Sequence, residues 1–452
     1  MKGYTGVMKR NNIIKTVVSM VLMISLSFTY VYSGNNLGIF GAEFLSAGNK
    51  AGITNSVKTA DASSMETELK EAGAGLVQTS GIKVESERRA MWICCFEIGT
   101  FTKKTFTKYQ FTSRIRKYFK VCKKYKMTDI VAHVRPCSDA LYDSDIFPTS
   151  DFIAGKQGKY MSYDPLQIMV KEAHKKNLRI EAWINPYRVT MNSTSYKSLA
   201  KTNPARQWHN TKGKKRNVLK CGNQLYYNPA KSAVRKLIIK GAKEIVKNYA
   251  VDGIHMDDYF YPNLGMSYAK NFDAKEYKSY VKKKKAAGES YMGIVNWRRE
   301  NVNKLVRGLY KGIKSVNKDV EFGISPAGNI DNLYLKWSYY VDVEKWFKNS
   351  GYVDYIAPQI YWDFKTGSAS YHKLSKRWHK MAKGSDVRLY TGLGVYRTIP
   401  PLSGQWKKKN ILKRQVKYTR KHNYADGFYF FSYNSFVNKY NKKEIKRLKS
   451  VL

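Results

Sequence analysis

Cysteine is scarce in this chain of 452 residues: there are five, none before Cys94, with Cys94 and Cys95 adjacent. An odd number without paired spacing argues against a disulfide framework. On a strand, Cys94 and Cys95 would point to opposite faces. Cys94, Cys95, Cys122 and Cys137 are therefore expected as small buried hydrophobes. The lack of any earlier cysteine also excludes a lipoprotein cleavage site. Histidine is equally thin, with seven residues scattered without ligand spacing, so neither a metal site nor a cofactor is expected. Acidic residues are the third shortage, 34 against 81 Lys and Arg, which gives a formal charge of +47. Such a field attracts polyanions in general. The basic runs (Lys212 to Arg216, Lys282 to Lys285, Lys407 to Lys409) are dispersed, and no zinc-finger, RNA-binding or basic-zipper pattern accompanies them. Anionic cell-wall polymers are the expected partners of this surface, and no specific nucleic acid is.

The N-terminus carries Lys2, Lys9, Arg10 and Lys15, then an apolar stretch from Val17 to about Tyr32. Residues 1–33 read as an export segment, either a signal peptide or an N-terminal membrane anchor, because the apolar run approaches the ~20 residues of a membrane helix. An extracellular or cell-envelope location follows. Residues 34–85 are rich in Gly, Ala, Ser, Thr and Glu. They read as a mostly disordered linker, with one weak helix near Met65 to Ala72.

From residue 86 to 452 the pattern changes. Short apolar runs recur at Met91–Phe96, Asp129–Val134, Leu178–Ile184, Gly253–Met256, Glu321–Ile324, Tyr355–Ile360, Leu389–Leu393 and Gly427–Phe431. Amphipathic, Lys-rich stretches lie between them, such as Pro165–Lys176, Ala233–Tyr249, Arg298–Asn317 and Lys407–Asn423. Strand-then-helix units in one continuous domain predict an α/β fold, a parallel (β/α)8 TIM barrel. A doubly wound open sheet would place a Gly-rich phosphate turn after the first strand, and Glu97-Ile98-Gly99-Thr100 is not one.

Barrel chemistry sits at the C-terminal strand ends. Those ends carry Glu97, then Arg135 and Asp139, then Trp183, Asn185, Tyr187 and Arg188. Asp257, Asp258 and Tyr259 follow strand four, and Gln359, Tyr361, Trp362 and Asp363 follow strand six. The opposite ends of the same strands carry little of this chemistry. An aromatic mouth bearing acids suits a polysaccharide, whose sugar faces stack on rings while Asn, Gln, Arg and Asp bind hydroxyls. Glycoside hydrolysis normally uses two carboxyl groups, one protonated and one ionised. Asp257 and Asp258 can split these roles if burial and mutual repulsion separate their pKa values. Both face a substrate only if Asp258 already lies in the turn, since neighbours on a strand diverge. Glu97, Asp139 and Asp363 are rival second carboxylates. Glu181, inside strand three, reads as a paired structural carboxylate, and His133 and His255 as interior hydrogen-bonders. Arg135 reads equally as a partner for a catalytic Asp or as half of a structural ion pair.

Asp252-Gly-Ile-His-Met-Asp-Asp258 is similar to the strand-four signature of chitinases, with Tyr259 where those enzymes place a Glu. Adjacent acids at this position also resemble those of some N-acetylhexosaminidases, in which the substrate's acetamido oxygen is the nucleophile. Longer matches are Pro136 to Pro148, Gly155-Lys-Gln-Gly158, Tyr163-Asp-Pro165, Ala182 to Val189, Tyr226-Tyr-Asn-Pro229, Trp297 to Val302, Gly323-Ile-Ser-Pro326 and Tyr355 to Trp362. With Val251 to Pro262, they resemble the family 10 glycosyl-hydrolase-like proteins of bacteria, in order from Arg88 to Asn434. The resemblance implies a TIM-barrel glycosidase-like domain, usually exported, with bacterial cell-wall glycan as substrate. The resulting expectation is an exported glycoside hydrolase acting on N-acetylated glycan, peptidoglycan strands foremost, with Asp257 and Asp258 catalytic and a substrate-assisted route open. The alternative is a catalytically silent barrel that binds wall glycan as a lectin.

Overall fold

The computed structural model describes residues 79–452 apart from Val84, residues 101–104 and Tyr259. The export segment expected at 1–33, nearly all of the linker expected at 34–85 and the expected substrate-binding residue Tyr259 lie outside the described residues.

The strands are β1 (Arg88–Ile93), β2 (Asp129–Arg135), β3 (Arg179–Ile184), β4 (Gly253–Met256), β5 (Glu321–Ile324), β6 (Tyr355–Ile356), β7 (Arg388–Leu389 with Thr391–Gly394) and β8 (Gly427–Phe431). They are parallel neighbours in that order. The first piece of β7 pairs with β6 and the second with β8. β8 returns to β1 with Gly427 opposite Arg88. The sheet is thus a (β/α)8 TIM barrel, as the strand-then-helix rhythm predicts. Lys- and Arg-rich helices follow the strands, among them Ser232–Asn248 and the longest, Ile294–Val316. Each buries one stripe: Val234, Ile238, Ala242 and Ile245 on the first, Val302, Leu305, Val306, Leu309 and Ile313 on the second. Each Val, Leu or Ile among them contributes about 1.5–3 kcal/mol when fully buried.

Strand edges differ from the sequence expectation where charge is buried. β1 starts at Arg88, three residues earlier than hydrophobicity suggests, and stops at Ile93 because Cys94 caps a single helical turn, Cys95–Ile98. The N-terminal ends of the strands, expected to be chemically plain, instead carry a buried ionic floor. Arg88 lies on the barrel axis and meets Asp129 at 3.2 Å, Glu181 at 3.3 Å and Glu321. Arg179 joins Asp129 at 3.2 Å and Glu321 at 2.7 Å, and Arg388 also reaches Glu321. Every ion has an opposite neighbour, which a buried charge requires.

Above the floor the axis is filled by Glu181, Tyr355, Tyr390, Tyr429 and Trp92. Tyr429 donates to Glu181 at 3.1 Å, and Tyr355 donates to it as well. Two strands make room for these groups by carrying glycine. A methyl group at Gly253 would stand 2.9 Å from Glu181 Cγ, and one at Gly323 would overlap the Tyr355 ring. Glu181 is thus the paired structural carboxylate that its place inside β3 suggests. Replacing Arg88 with Met should cost roughly 3–5 kcal/mol of stability, the usual range when one member of a buried ionic group is removed. The urea midpoint measures this, and a midpoint equal to wild type would refute the floor's structural role.

Candidate active site

The mouth is built outward from β4. Its residues alternate, so that Gly253, His255 and Asp257 face the axis while Ile254 and Met256 face the helices. His255 accepts from Trp92 Nε1 at 3.2 Å through Nε2 and contacts Tyr355 Oη at 2.8 Å through Nδ1. Burial, followed by the field of Arg88, lowers its pKa to about 3. His255 is therefore neutral, with its proton on Nδ1, and links the mouth to the Tyr355–Glu181 pair below.

At Asp257 the strand ends, and Asp258 already sits in a bend. That change of direction lets two consecutive carboxylates stay at one end of the barrel, both buried, at 5% and 7% exposure. Asn185, just past β3, donates Nδ2 to Asp257 Oδ2 at 2.5 Å. Gln359, beyond β6, donates to Asp258 Oδ1 at 3.4 Å and to the Ser325 carbonyl at 3.0 Å. Burial, then the charge of Asp257, raises the Asp258 carboxyl to about 7, against lowering contributions from Arg188 and Gln359. A buried carboxyl pushed up to about 7 beside a second acid is the kind of group that general acid catalysis uses.

Trp183 lies flat on His133, with ring centroids 3.7 Å apart and 7° between planes. His133 Nε2 is 2.6 Å from Asn185 Oδ1. Tyr361 packs edge-on to Tyr396 at 5.9 Å, and the charges of Asp258 and Asp257 add to burial in raising its phenol well above the usual value. Arg188 is buried and bridges to Tyr226 of the Val218–Cys221/Gln224–Tyr227 hairpin. Its charge acts on Asp258, His133, Cys95 and Cys137. Asn185, Arg188, Gln359 and Tyr361 are thus gathered around Asp257 and Asp258, and Trp183 joins them through His133.

Other residues singled out from the sequence have different surroundings. Glu97 is fully buried and ties the barrel's first and last strands together. Its carboxylate accepts from Cys94 N at 2.6 Å and from Ser432 Oγ and Asn434 N at 2.7 Å. Asp139 is raised to about 7 by burial and by Asp151, and accepts from Gln157 Nε2 at 3.1 Å. Asp363 organises its own loop, accepting from Lys365 N and Thr366 Oγ1 at 2.8 Å and from Gln405 N at 3.2 Å. The register shift between His133 and Arg135 turns Arg135 outward, where its guanidinium lies over Phe147 at 4.7 Å and beside Gly241. Among the described residues it closes no ion pair. Tyr187 is wholly buried and its carbonyl accepts from Tyr227 N at 2.8 Å. The Trp362 carbonyl accepts from Gln415 at 2.9 Å.

The sequence reading left His133 and Cys94 out of the site and set Ser325 only among the strand-end residues of the mouth. Cys94 lies close enough to Asp257 for that charge to help raise its thiol, after burial and Glu97. The signal for His133 was the strand parity that places Val131 and His133 on the inward face of β2, one step below Asn185.

Residues 87–408 match the family described as Glycosyl hydrolase-like 10. Glycosyl hydrolase YngK of Bacillus subtilis (strain 168) is 34% identical over 370 residues, which cover 77% of this chain and 68% of that protein. Glycosyl hydrolase DigH of Escherichia coli (strain K12) is 34% identical over 291 residues, covering 59% of this chain and 62% of that one. The match thus spans less than two thirds of the Escherichia coli protein. Among solved structures, the PgaB (BpsB) glycoside hydrolase domain from Bordetella bronchiseptica superposes with a TM-score of 0.52 at 12% identity, over 81% of this chain and 98% of that one. This last likeness is one of fold. With the family match running from the entry to β1 past the end of β7, the chain belongs to the glycosyl hydrolase-like 10 family.

Proposed function

We propose that this barrel is an exported glycoside hydrolase for N-acetylated glycan of the bacterial cell-wall type, peptidoglycan strands foremost, with Asp258 as proton donor. One observation carries the reading: Asp258 is buried beside Asp257 at the barrel mouth, where burial and that neighbouring charge push its carboxyl up to about 7. Asp257, holding the Asn185 hydrogen bond, is the ionised partner. In a substrate-assisted cycle the acetamido carbonyl oxygen of the bound sugar attacks its own anomeric carbon. The glycosidic C–O bond breaks as Asp258 passes its proton to the leaving oxygen. The Asp257 carboxylate accepts the acetamido N–H and stabilises the positive charge that develops on the ring so formed. Water then opens that ring, giving its proton to Asp258, and the anomeric configuration is retained. Trp183 and Tyr361 offer ring faces and edges for sugar contact at the same mouth. The Lys-rich surface holds the enzyme on anionic wall polymers, an attraction that weakens as salt shortens the Debye length to about 8 Å at physiological ionic strength.

Incubation with peptide-free glycan strands should release new reducing ends. Asp258→Asn should lower kcat/KM by about 10²–10⁴-fold, the usual worth of a general acid. A substrate with an activated phenolate leaving group, which needs no proton, should restore most of that loss in Asp258→Asn and little of it in Asp257→Asn. Binding of strands by wild type without product would replace this reading with that of a wall-glycan lectin.

The pH dependence has two parts. Because the protonated acid is the active form, kcat/KM should fall as pH rises through about 7. Stability should move in the same direction. The folded-state value lies above the ordinary 3.8, so folding favours the protonated carboxyl. Its contribution is fully present below pH 3.8 and is lost as pH rises through about 7. Asn cannot titrate, so the Tm of Asp258→Asn minus that of wild type should grow between pH 4 and pH 8. A constant difference would refute the raised carboxyl.

A further inference from the structure

We infer that His133 is a positioning residue that acts through Asn185 to keep Asp257 ionised and aimed at the substrate. The inference rests on the role proposed above for Asp257, and it gives work to a buried histidine that the reaction itself does not touch. A carboxylate only accepts hydrogen bonds, so Asn185 must turn its amide nitrogen towards Asp257, where the distance is 2.5 Å. Asn185 Oδ1 then faces His133 Nε2 at 2.6 Å and needs a donor. His133 can supply it in only one neutral form, with the proton on Nε2. Burial, followed by the nearby charge of Arg188, lowers the imidazole pKa well below its usual value and keeps the ring neutral. The flat stack on Trp183 fixes the plane of the ring, and His133 is 4% exposed.

The amide of Asn185 has two ends of nearly the same shape. Without a donor at Oδ1, nothing on the β2 side distinguishes them, and the flipped amide would present oxygen to Asp257. A carboxylate rejects that arrangement, whereas a protonated Asp257 accepts it. Loss of the His133 donor should therefore shift Asp257 towards its protonated form and blur the division of labour with Asp258. The charged and titratable groups that face Asp257, Asp258 and His133 are Cys94 from the end of β1, Arg188 from beyond β3, His255 from β4 and Tyr361 from beyond β6.

The experiment is a double-mutant cycle on the full chain with peptide-free glycan strands, recording kcat, KM and pH profile. His133→Phe keeps a ring on Trp183 and removes the donor. It should lower kcat by about tenfold, as weakening the Asn185 hydrogen bond to the charged Asp257 carboxylate would, with KM nearly unchanged. The acid limb of the profile should move up by about one pH unit. His133→Gln, whose amide nitrogen can occupy the place of Nε2, should recover most of the rate. In an Asn185→Leu background, His133→Phe should cost nothing further, because the path through Asn185 is already broken. Additive losses, a profile matching wild type, or a His133→Gln variant no better than His133→Phe would each overturn the inference. If His133→Phe does not fold, His133→Met, which also lacks a donor, takes its place: an acid limb displaced from that of His133→Gln supports the inference, and an identical limb overturns it. Absence of glycan cleavage by wild type would instead count against the proposed function, so the two failures are distinguishable.

Discussion

A guanidinium buried on the barrel axis sets the terms for much of this molecule. Arg88 cannot lie inside the barrel without carboxylates, and Asp129, Glu181 and Glu321 provide them from three other strands. Glu181 in turn receives hydroxyl protons from Tyr355 and Tyr429, and Tyr355 meets His255, which accepts from Trp92. A single hydrogen-bonded column therefore runs from the ionic floor to just beneath Asp257. The column needs space that ordinary side chains would occupy, which is why β4 and β5 carry Gly253 and Gly323 at those levels. Packing, hydrogen bonding and sequence choice are here consequences of one buried charge.

The carboxylate pair at the top obeys the same electrostatics with the opposite resolution. At the floor each negative charge has a cation. At the mouth Asp257 and Asp258 are adjacent and buried, and burial together with the Asp257 charge pushes the Asp258 carboxyl up to about 7. Arg188 moderates this repulsion from the side and, by the same positive charge, discourages protonation of His133. One arginine thus acts on both groups in the same sense, favouring loss of a proton from Asp258 and from the His133 imidazole, against the burial and the Asp257 charge that raise Asp258. Such perturbation of neighbouring titratable groups is a mark of chemistry rather than of packing alone.

The barrel was legible because hydrophobic runs and Lys-rich amphipathic stretches alternate with a regular rhythm, and because strand ends concentrate polar residues. Asp257 and Asp258 stood out for the same reason: two acids at the end of a buried strand are costly. The ionic floor was not legible. Arg88, Asp129, Arg179 and Glu321 look like ordinary polar boundaries of strands in one dimension, and only closure of the sheet brings them together. Glu97 was misleading in a related way. It follows β1 as a mouth acid should, yet its oxygens are taken by Cys94, Ser432 and Asn434, groups supplied by both ends of the barrel chain. Arg135 was misplaced by a register shift that no periodicity reveals. His133 was visible as an inward residue, but its partner Asn185 lies 52 positions away.

The cysteines have a practical consequence. All five are free thiols, and four of them, Cys94, Cys95, Cys122 and Cys137, are buried. Cys221 alone is partly accessible, at the tip of the hairpin that follows β3, with its sulfur 3.7 Å from the Asn263 carbonyl in the segment that follows β4. The unaltered protein therefore carries a natural attachment point for one thiol-directed fluorophore, where the loops of the two strands supplying Asn185, Asp257 and Asp258 meet. A dye there would report movement of those loops as a glycan strand enters, with no engineered residue in the chain.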